Sequence, residues 1–523
     1  MWTIIKKETF DNFLTLRFII GFVACCVVFG FITYVLVQDF EFEWDAVQSA
    51  RQDSDSDYSE WETYSEIRPT IVKELSPLAA FGSNMGKHWG KRVWISHTRI
   101  PVFTSDETSS GSTADFLGFF YSFDFINVVQ IFITLLALLF SFDMISGEKE
   151  RATLRLMLSN PVQRTTVFIG KFFGSLFTLL PVILASFLIS ILVYMFYSPA
   201  SLSGSDWMSM ALIILATVLL GAVFIAIGML VSTYIHRIAS SLIVCMIIWV
   251  FLVLVLPNAI GFFSSELGFK EDAREFDYNL SALIQEYRDG MNAMNYAAAD
   301  YRLAANFSTS REGQIVCRIR GENAKKYYDE KMQEALSAQR AYAAARFDLE
   351  NGYHKKRTEK TRVTNNILRI SPSSLYSNIV NVITGTDEAG HNDFIQQARR
   401  YREDIIEFIE SNDGYSSSRW WTNDQEDAPY RDLINQAETM TQAEMGRAFN
   451  DPEQFKQFMA WIEELRADPR RYIPADSIPR FTMKRMSLTG VLGTALTDLF
   501  LLILFLAVAI TVAYIKFLKY DAR

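Results

Sequence analysis

The chain has 523 residues, of which 50% are apolar and 21% are charged, and its formal net charge is −9. Its mean hydropathy is nevertheless positive, at +0.11. Membrane spans that alternate with polar domains produce such an average. The acidic balance argues against a nucleic-acid partner, because phosphate binding needs a basic surface.

Residues 1–16 predict an interfacial helix, because apolar side chains such as Trp2 and Phe10 are interleaved with Lys6 and Lys7. Apolar runs long enough to cross about 30 Å of hydrocarbon follow. These six predicted spans are 17–37, 123–145, 175–197, 211–235, 239–263 and 489–518. No small-residue cleavage site precedes Gln38, so we expect the first run to be a span rather than a signal peptide.

The placement of Lys and Arg predicts how these spans are oriented. The short loop 198–210 contains no Lys or Arg, whereas segment 146–171 and both chain ends are basic. We therefore expect the termini and segment 146–171 to be cytosolic. Segments 38–122 and 264–488 are then extracytoplasmic.

The larger external segment, 264–488, is predicted to be mainly helical. Apolar residues recur at spacings of three and four from Phe276 to Tyr301 and from Met332 to Leu349, with a Ser-, Arg- and Gly-rich connection at 306–321. This pattern predicts an antiparallel helical hairpin, with about 35 residues of helix extending about 50 Å. Further helices are expected at 372–385, 394–409 and 431–466.

The smaller external segment, 38–122, contains two short candidate strands, at 93–95 and 99–103. It has few strongly periodic stretches, so we expect it to pack against the larger external segment. Cys317 is the one external cysteine in this topology. A disulfide within the external region is therefore not expected.

No catalytic or nucleotide-binding pattern is found in the sequence. Gly170-Lys171 lacks the upstream glycine of a phosphate-binding loop, since Thr165 occupies that position. None of the five histidines has a Cys or His partner at metal-ligand spacing. We therefore expect no catalytic residue, no metal and no cofactor in this chain, which argues against a membrane enzyme.

Asp498 is an acidic residue well inside a predicted span. A charge at such a position costs about 3 kcal/mol on insertion scales, so these residues usually face protein or water. Two interpretations follow. Asp498 lines a translocation path, or it is a polar anchor that pairs with a neighbouring helix or lies near the headgroups.

Segment 146–171 carries the most specific pattern. Glu148, Lys149, Glu150 and Arg151 follow directly after the second predicted span, and a Leu-rich turn and Pro161 come next. Such charges suit ion pairs with a cytosolic partner. From the residues alone, this is a charged loop between two spans.

The pattern resembles the permease subunits of type-2 ABC exporters. That family typically has six spans and a motif close to Glu-Arg-x-x-Gly-Thr-Leu after the second span, then a Pro, a basic residue and Gly-Lys. Ala152 stands here where Gly is usual. The residues that match, which the resemblance implies couple the permease to an ATPase, are Glu148, Glu150, Arg151, Thr153, Leu154, Pro161, Arg164 and Lys171.

The resemblance implies a transport subunit in the bacterial cytoplasmic membrane, paired with a second copy or a related permease. Two cytosolic ABC ATPase subunits, which bind ATP and magnesium, would drive it. The enlarged external domain resembles a subgroup found alongside copper-enzyme maturation systems, and it would gate release or contact an envelope partner. The alternative is a membrane-anchored scaffold or receptor that recruits an envelope partner without transport.

Overall fold

The computed structural model describes residues 1–59, 61–82, 92–102, 124–154, 163–257, 269–296, 305–309, 315–319, 322–420, 472–485 and 488–519, with isolated residues between 452 and 460. Helices dominate these residues, and two small antiparallel sheets accompany them. The prediction of an α-helical membrane protein is confirmed by the helices long and apolar enough to cross a membrane.

The helices fall into a membrane bundle and a polar region. The bundle helices are α1 (Trp2–Phe13), α2 (Leu16–Asp57), α3 (Phe125–Leu139), α4 (Ser146–Glu150), α5 (Arg164–Tyr197), α6 (Gly204–Tyr234) and α7 (Ile238–Trp249), which a π-helical segment, Val250–Val255, continues. The remaining helices are α8 (Phe269–Tyr296), α9 (Glu322–Leu368), α10 (Pro372–Thr384), α11 (Glu388–Ser411) and α12 (Leu488–Leu518).

Among the described residues, five helices qualify as candidate spans, namely α2, α5, α6, α7 with its π-helical continuation, and α12. They overlap five of the six predicted runs, although α2 extends about 20 residues beyond its run and α5 begins 11 residues before its run. The sixth run, 123–145, contains α3. This helix has 15 residues and is therefore shorter than the predicted span. At its end, the Ser141 hydroxyl donates to the Ala137 carbonyl at 2.8 Å, and a turn leads into α4.

Helix α6 lies at the centre of the bundle and packs against α3, α5, α10 and α12. Small residues permit this close packing, since a side chain at Gly221 would collide with Leu179 of α5 and one at Gly228 with Ser141. We call the end of the bundle that carries α1 and α4 the α4 end. The opposite end, from which α2 extends toward Asp57, is the domain end.

Helices α8 and α9 form the predicted antiparallel hairpin at the domain end. Their aromatic rings stack, with centroids 4.1 Å apart for Tyr287 and Tyr342 and 4.5 Å apart for Phe276 and Tyr353. Helix α9 has 47 residues, about 70 Å of helix. It is longer than predicted because the basic segment 354–362 continues it without a proline.

Two β-hairpins complete the polar region. Strands β3 (Ala305–Thr309) and β4 (Ile315–Ile319) occupy the Ser-, Arg- and Gly-rich connection between α8 and α9. Strands β1 (Thr70–Val72) and β2 (Arg92–Trp94) pair within the smaller external segment, close to the first candidate strand.

The second candidate strand, at 99–103, is not formed over its described part. Arg99 makes one isolated bridge to Ser96, and residues 100–102 are irregular. Pro101 lacks the N–H that a strand would need to donate there. Residue 103 and the predicted helix at 431–466 lie outside the described residues, apart from isolated positions near 452–460.

The two segments predicted to be external, 38–122 and 264–488, pack together over their described residues, as expected. From α11, Arg402 donates to the Ser96 carbonyl and Arg399 to the Pro101 carbonyl, at 2.9 and 2.7 Å. The His97 ring bonds to the Gln339 amide of α9 at 2.9 Å. These contacts hold segment 96–101 on the surface formed by α9 and α11.

Helix α10 covers the domain end of the bundle. The Gln130 amide of α3 donates to the Ser373 carbonyl at 2.8 Å, and Tyr376 and Thr217 of α6 share a 3.0 Å hydrogen bond. Ser371 donates to the Leu252 carbonyl at 2.7 Å. The helix ends at Gly385, whose φ of +70° is the left-handed conformation that favours glycine. Its predicted beginning at Pro372 and end at Gly385 are both found.

Candidate coupling site at the α4 end

The short helix α4 is fastened to the end of α6. The Ser232 hydroxyl oxygen accepts from the backbone N–H groups of Ile145 and Ser146, at 2.9 and 2.8 Å. The Lys149 ammonium donates to the carbonyls of Ser232 and Thr233. Carbonyls at a helix C-terminus attract cations, so this contact is favourable. Helix α4 is therefore coupled to the position of α6.

A second contact joins α4 to the beginning of α7. The Glu150 carboxylate accepts from the Ile238 backbone N–H, the first of that helix, at 2.7 Å. The first N–H groups of a helix have no partner within it, and the helix dipole favours a negative charge there. Glu150 thus binds the N-terminus of α7 while remaining exposed.

Lys171 links α1, α4 and α5. It lies on the second turn of α5, and its side chain is only 3% exposed. Its ammonium is 2.7 Å from Glu8 of α1 and 3.4 Å from Glu148 of α4. A buried cation is tolerated when carboxylates surround it, and removing one partner leaves a costly unpaired charge. The three helices are therefore held together by one buried cation.

Two glycines of α5 allow α1 to approach closely. A Cβ atom at Gly174 would stand 2.7 Å from the Glu8 Cβ, and one at Gly170 would stand 2.9 Å from the Ile4 Cγ2. The Thr9 hydroxyl donates to the Gly174 carbonyl at 3.2 Å. Small residues four positions apart form a groove for a neighbouring helix. This groove positions Glu8 beside Lys171, and α1 is the helix predicted at the start of the chain.

The residues after α4 turn back onto it. The Thr153 hydroxyl donates to the Glu148 carboxylate, and Leu154 is fully buried. Burial raises the pKa of Glu148, but the hydrogen bond from Thr153 and the charge of Lys171 outweigh it, so the pKa lies below its ordinary value. Burial lowers the pKa of Lys149 to about 8, and the nearby Lys516 acts in the same direction.

Ala152 adopts a left-handed backbone conformation, with φ of +57°. This is the position at which the resembling permeases usually have glycine. A Cβ atom is unfavourable in that conformation by roughly 1–2 kcal/mol, whereas glycine adopts it freely. The tight turn that returns Thr153 to Glu148 gives a physical reason for glycine there.

The remaining predicted coupling residues occupy separate places. Arg164 begins α5 and donates to the Leu518 carbonyl at the end of α12, at 2.7 Å. Arg151 is exposed, next to Ala152. Pro161 lies outside the described residues. Segment 146–171, predicted as a loop, is thus helical at both ends. Helix α4 forms its beginning, and the first turns of α5 form its end.

Asp498 lies far from this site, at the domain end of the bundle. Its carboxylate is 2.7 Å from the Arg369 guanidinium, between α9 and α10, and the Asp498 side chain is 6% exposed. The structure therefore brings Glu148, Thr153 and Lys171 together and places Asp498 elsewhere.

Sequence reasoning missed Glu8 and Ser232 as members of the site. Glu8 follows Ile4 by four positions, on the side of α1 that faces α5. An acidic residue on that packed side was the available signal for Glu8. Ser232 is one of many small polar residues in the spans, and no pattern in the sequence distinguishes it.

A comparison with known protein families identifies the family of the chain. A family model described as "ABC-2 family transporter protein" matches residues 2–522. No curated protein matches the chain. In the part of the chain that the structure describes, no group of His, Cys, Asp and Glu side chains could hold a metal ion. The match covers nearly every residue, and the chain belongs to the ABC-2 family of transporter membrane proteins.

Proposed function

We propose that this permease is the transmembrane subunit of an ABC exporter, and that separate ATPase subunits drive it. Those subunits would bind ATP and magnesium and dock at the α4 end, which would lie in the cytosol with both termini. Membership of the family supports the ATPase partnership. The observation that carries the coupling proposal is the Lys171 ion pair with both Glu8 and Glu148.

Force would enter through the exposed side chains beside this cation. Glu150 and Arg151 are exposed, whereas Lys171 is buried behind them. A partner that pushes on α4 would displace Ser232 on α6, Ile238 on α7 and Glu8 on α1 through the bonds described above. A shift between two states requires contacts that differ between them, and the exposed charges are where we place those contacts.

The wider assembly is also part of the proposal. Two permease chains, identical or related, would dock two ATPase subunits, and the polar region built on α8–α11 would gate release or contact an envelope partner. The likeness to permeases that accompany copper-enzyme maturation, and a role for Asp498 in the translocation path, remain predictions.

Purification from native membranes tests the partnership. We expect an ATPase subunit to copurify in stoichiometric amount and its ATP hydrolysis to change when the permease is present. If a non-ATPase envelope protein copurifies in mild detergent and no ATPase subunit does, the proposal is overturned in favour of a scaffold.

Substituting Lys171 tests the coupling. In Lys171→Met, the carboxylates of Glu8 and Glu148 lose their shared cation, so α1, α4 and α5 are held together less firmly. We therefore expect ATP to change the hydrogen exchange of α10, at the opposite end of the bundle, less than it does in the wild type. The control is Arg51→Met, which removes an exposed ion pair with Glu74 at the domain end. Equal ATP-dependent exchange in both variants would contradict a coupling role for Lys171.

The exposed charges are tested separately. The double variant Glu150→Gln/Arg151→Gln should uncouple ATP hydrolysis from transport while leaving the Lys171 ion pairs in place. If the permease stimulates its ATPase in this variant as strongly as in the wild type, these two charges do not couple the subunits.

A further inference from the structure

One exposed face of α9 changes from charged to apolar as the helix approaches the bundle. Lys356 is exposed, and Val363, Ile367 and Ile370 are 61%, 44% and 58% exposed. Spacings of seven, four and three residues place the four positions on one side of the helix and of the turn that follows it. Farther from the bundle, the same side of the helix carries Asp348, which is charged, and Gly352, which has no side chain.

The apolar part of this face lies at the edge of the membrane region. Arg369, between Ile367 and Ile370 in sequence, pairs with Asp498 of α12. Asp498 precedes Lys516 by 18 residues, about 27 Å of helix, which is close to the thickness of the hydrocarbon core. If Lys516 marks one boundary of the hydrocarbon, Asp498 and Arg369 mark the other.

The segment that carries the charged part of this face is basic in sequence, in a chain that is acidic overall, and its side chains described as exposed are those of Lys355, Lys356 and Glu359. Residues 354–362 contain five Lys or Arg residues and one Glu, whereas the chain has a net charge of −9. An anionic membrane surface attracts basic residues that lie close to it. Exposed apolar side chains below such residues add hydrophobic anchoring, and the combination binds a membrane more firmly than either feature alone.

We propose that this face of α9 binds an anionic phospholipid of the adjoining leaflet. The basic residues around Lys355 and Lys356 would attract the headgroup phosphate, and Val363, Ile367 and Ile370 would contact the upper acyl chain. This site does not depend on transport or on an ATPase partner.

A second copy of the chain fits the face less well. In a two-fold dimer the same patch meets itself, so the basic segments 354–362 would face each other and repel. An anionic headgroup instead neutralises them. The charge of the patch therefore favours lipid over a second copy.

The test uses the full-length chain in detergent, with phosphatidylglycerol or phosphatidylcholine added at equal concentration. Native mass spectrometry counts the lipids that stay bound. We expect the wild type to retain phosphatidylglycerol several-fold better than phosphatidylcholine, and Lys355→Glu/Lys356→Glu to lose most of that preference. The matched control, Lys325→Glu/Lys326→Glu, makes the same charge change near the opposite end of α9 and should keep it.

Hydrogen exchange shows which part of the chain the lipid contacts. In nanodiscs, replacing phosphatidylcholine with phosphatidylglycerol should protect residues 363–370 in the wild type and in the control, but not in Lys355→Glu/Lys356→Glu. An unchanged lipid preference in that variant would overturn the proposal. A changed oligomeric state with unchanged lipid binding would also overturn it and would assign the face to a second copy.

Discussion

The Arg369 guanidinium donates its Nε–H to Asp498 Oδ1 at 2.7 Å, which joins the segment between α9 and α10 to the last span. Arg369 also donates to the Asn366 side chain, at 3.0 Å. A charge at the domain end of a span is thereby neutralised by a residue of the polar region. This contact is the one expected of a polar anchor, and it gives a direct way to separate that interpretation from a role in the translocation path.

Asp498→Asn should destabilise the protein. The substitution leaves Arg369 without its counter-charge, and breaking a fully buried ion pair costs about 3–5 kcal/mol. Because the Arg369 side chain is 34% exposed, we expect about 1–3 kcal/mol. Thermal unfolding in nanodiscs measures this loss.

The matched control for that prediction is Asp55→Asn, which removes an exposed ion pair with Arg480. Such pairs contribute about 0–1 kcal/mol. If Asp498→Asn unfolds at the wild-type temperature but abolishes transport, the anchor interpretation fails and the path interpretation is favoured.

Ala152→Gly should stabilise the turn after α4. Glycine relieves the left-handed strain at φ of +57°, although the unfolded chain gains entropy, so the expected net gain is about 0.5–1 kcal/mol. Unfolding temperature is again the measurement. Ala341→Gly, at an exposed position inside α9, should have the opposite sign and cost about 1 kcal/mol. A loss of stability in Ala152→Gly would show that the turn is not strained.

Gly174→Ala should loosen α1. The added Cβ atom would lie 2.7 Å from the Glu8 Cβ, so α1 must move away from α5. Overpacking of this kind costs about 1–3 kcal/mol. Hydrogen exchange of residues 2–13 should accelerate. Gly352→Ala is the control and should leave α1 protected, because the new Cβ atom would meet nothing within 4 Å beyond the local helix backbone.

Acid should destabilise the polar region through His97. Burial lowers the pKa of this imidazole to about 3, and the positive charges of Arg68, Arg402 and Arg340 act in the same direction, against the hydrogen bond with Gln339. The folded protein therefore binds the proton less readily than the unfolded chain, whose histidine has an ordinary pKa near 6.5. Stability from this group is complete above pH 6.5 and is lost as the pH falls toward 3, by up to about 1.4 kcal/mol per unit.

The measurement is the unfolding temperature at pH 7.5 and at pH 5 for the wild type and for His97→Gln. Other groups contribute equally to both proteins, so the difference between their pH dependences reports His97. We expect the variant to lose less stability on acidification. Identical pH dependences would show that His97 is protonated without cost.

Local patterns were sufficient to predict most of the helices. Long apolar runs located the spans, and Pro372 and Gly385 located both ends of α10, because these signals act within a few residues. The same reasoning underestimated α9, since a basic segment with no proline continues a helix as readily as an apolar stripe does. It overestimated α3, which ends at Leu139 although the apolar run continues to residue 145.

The contacts of the coupling site could not be predicted from sequence. Lys171 and Glu8 are 163 positions apart, and Glu150 and Ile238 are 88 apart. Only the packing of α1, α4, α5 and α7 brings these partners together. The family resemblance predicted a coupling role for Glu148 and Lys171 without indicating that these residues touch each other.

Helix α10 and its N-cap form hydrogen bonds with three other helices. The partners are Gln130 of α3, Thr217 of α6 and Leu252 in the continuation of α7. Each buried hydrogen bond contributes about 1 kcal/mol, and a broken one leaves a desolvated polar group. Spreading these three helices at the domain end would break several such bonds together. A crevice on that side would therefore form in one cooperative movement of all three helices rather than by gradual widening.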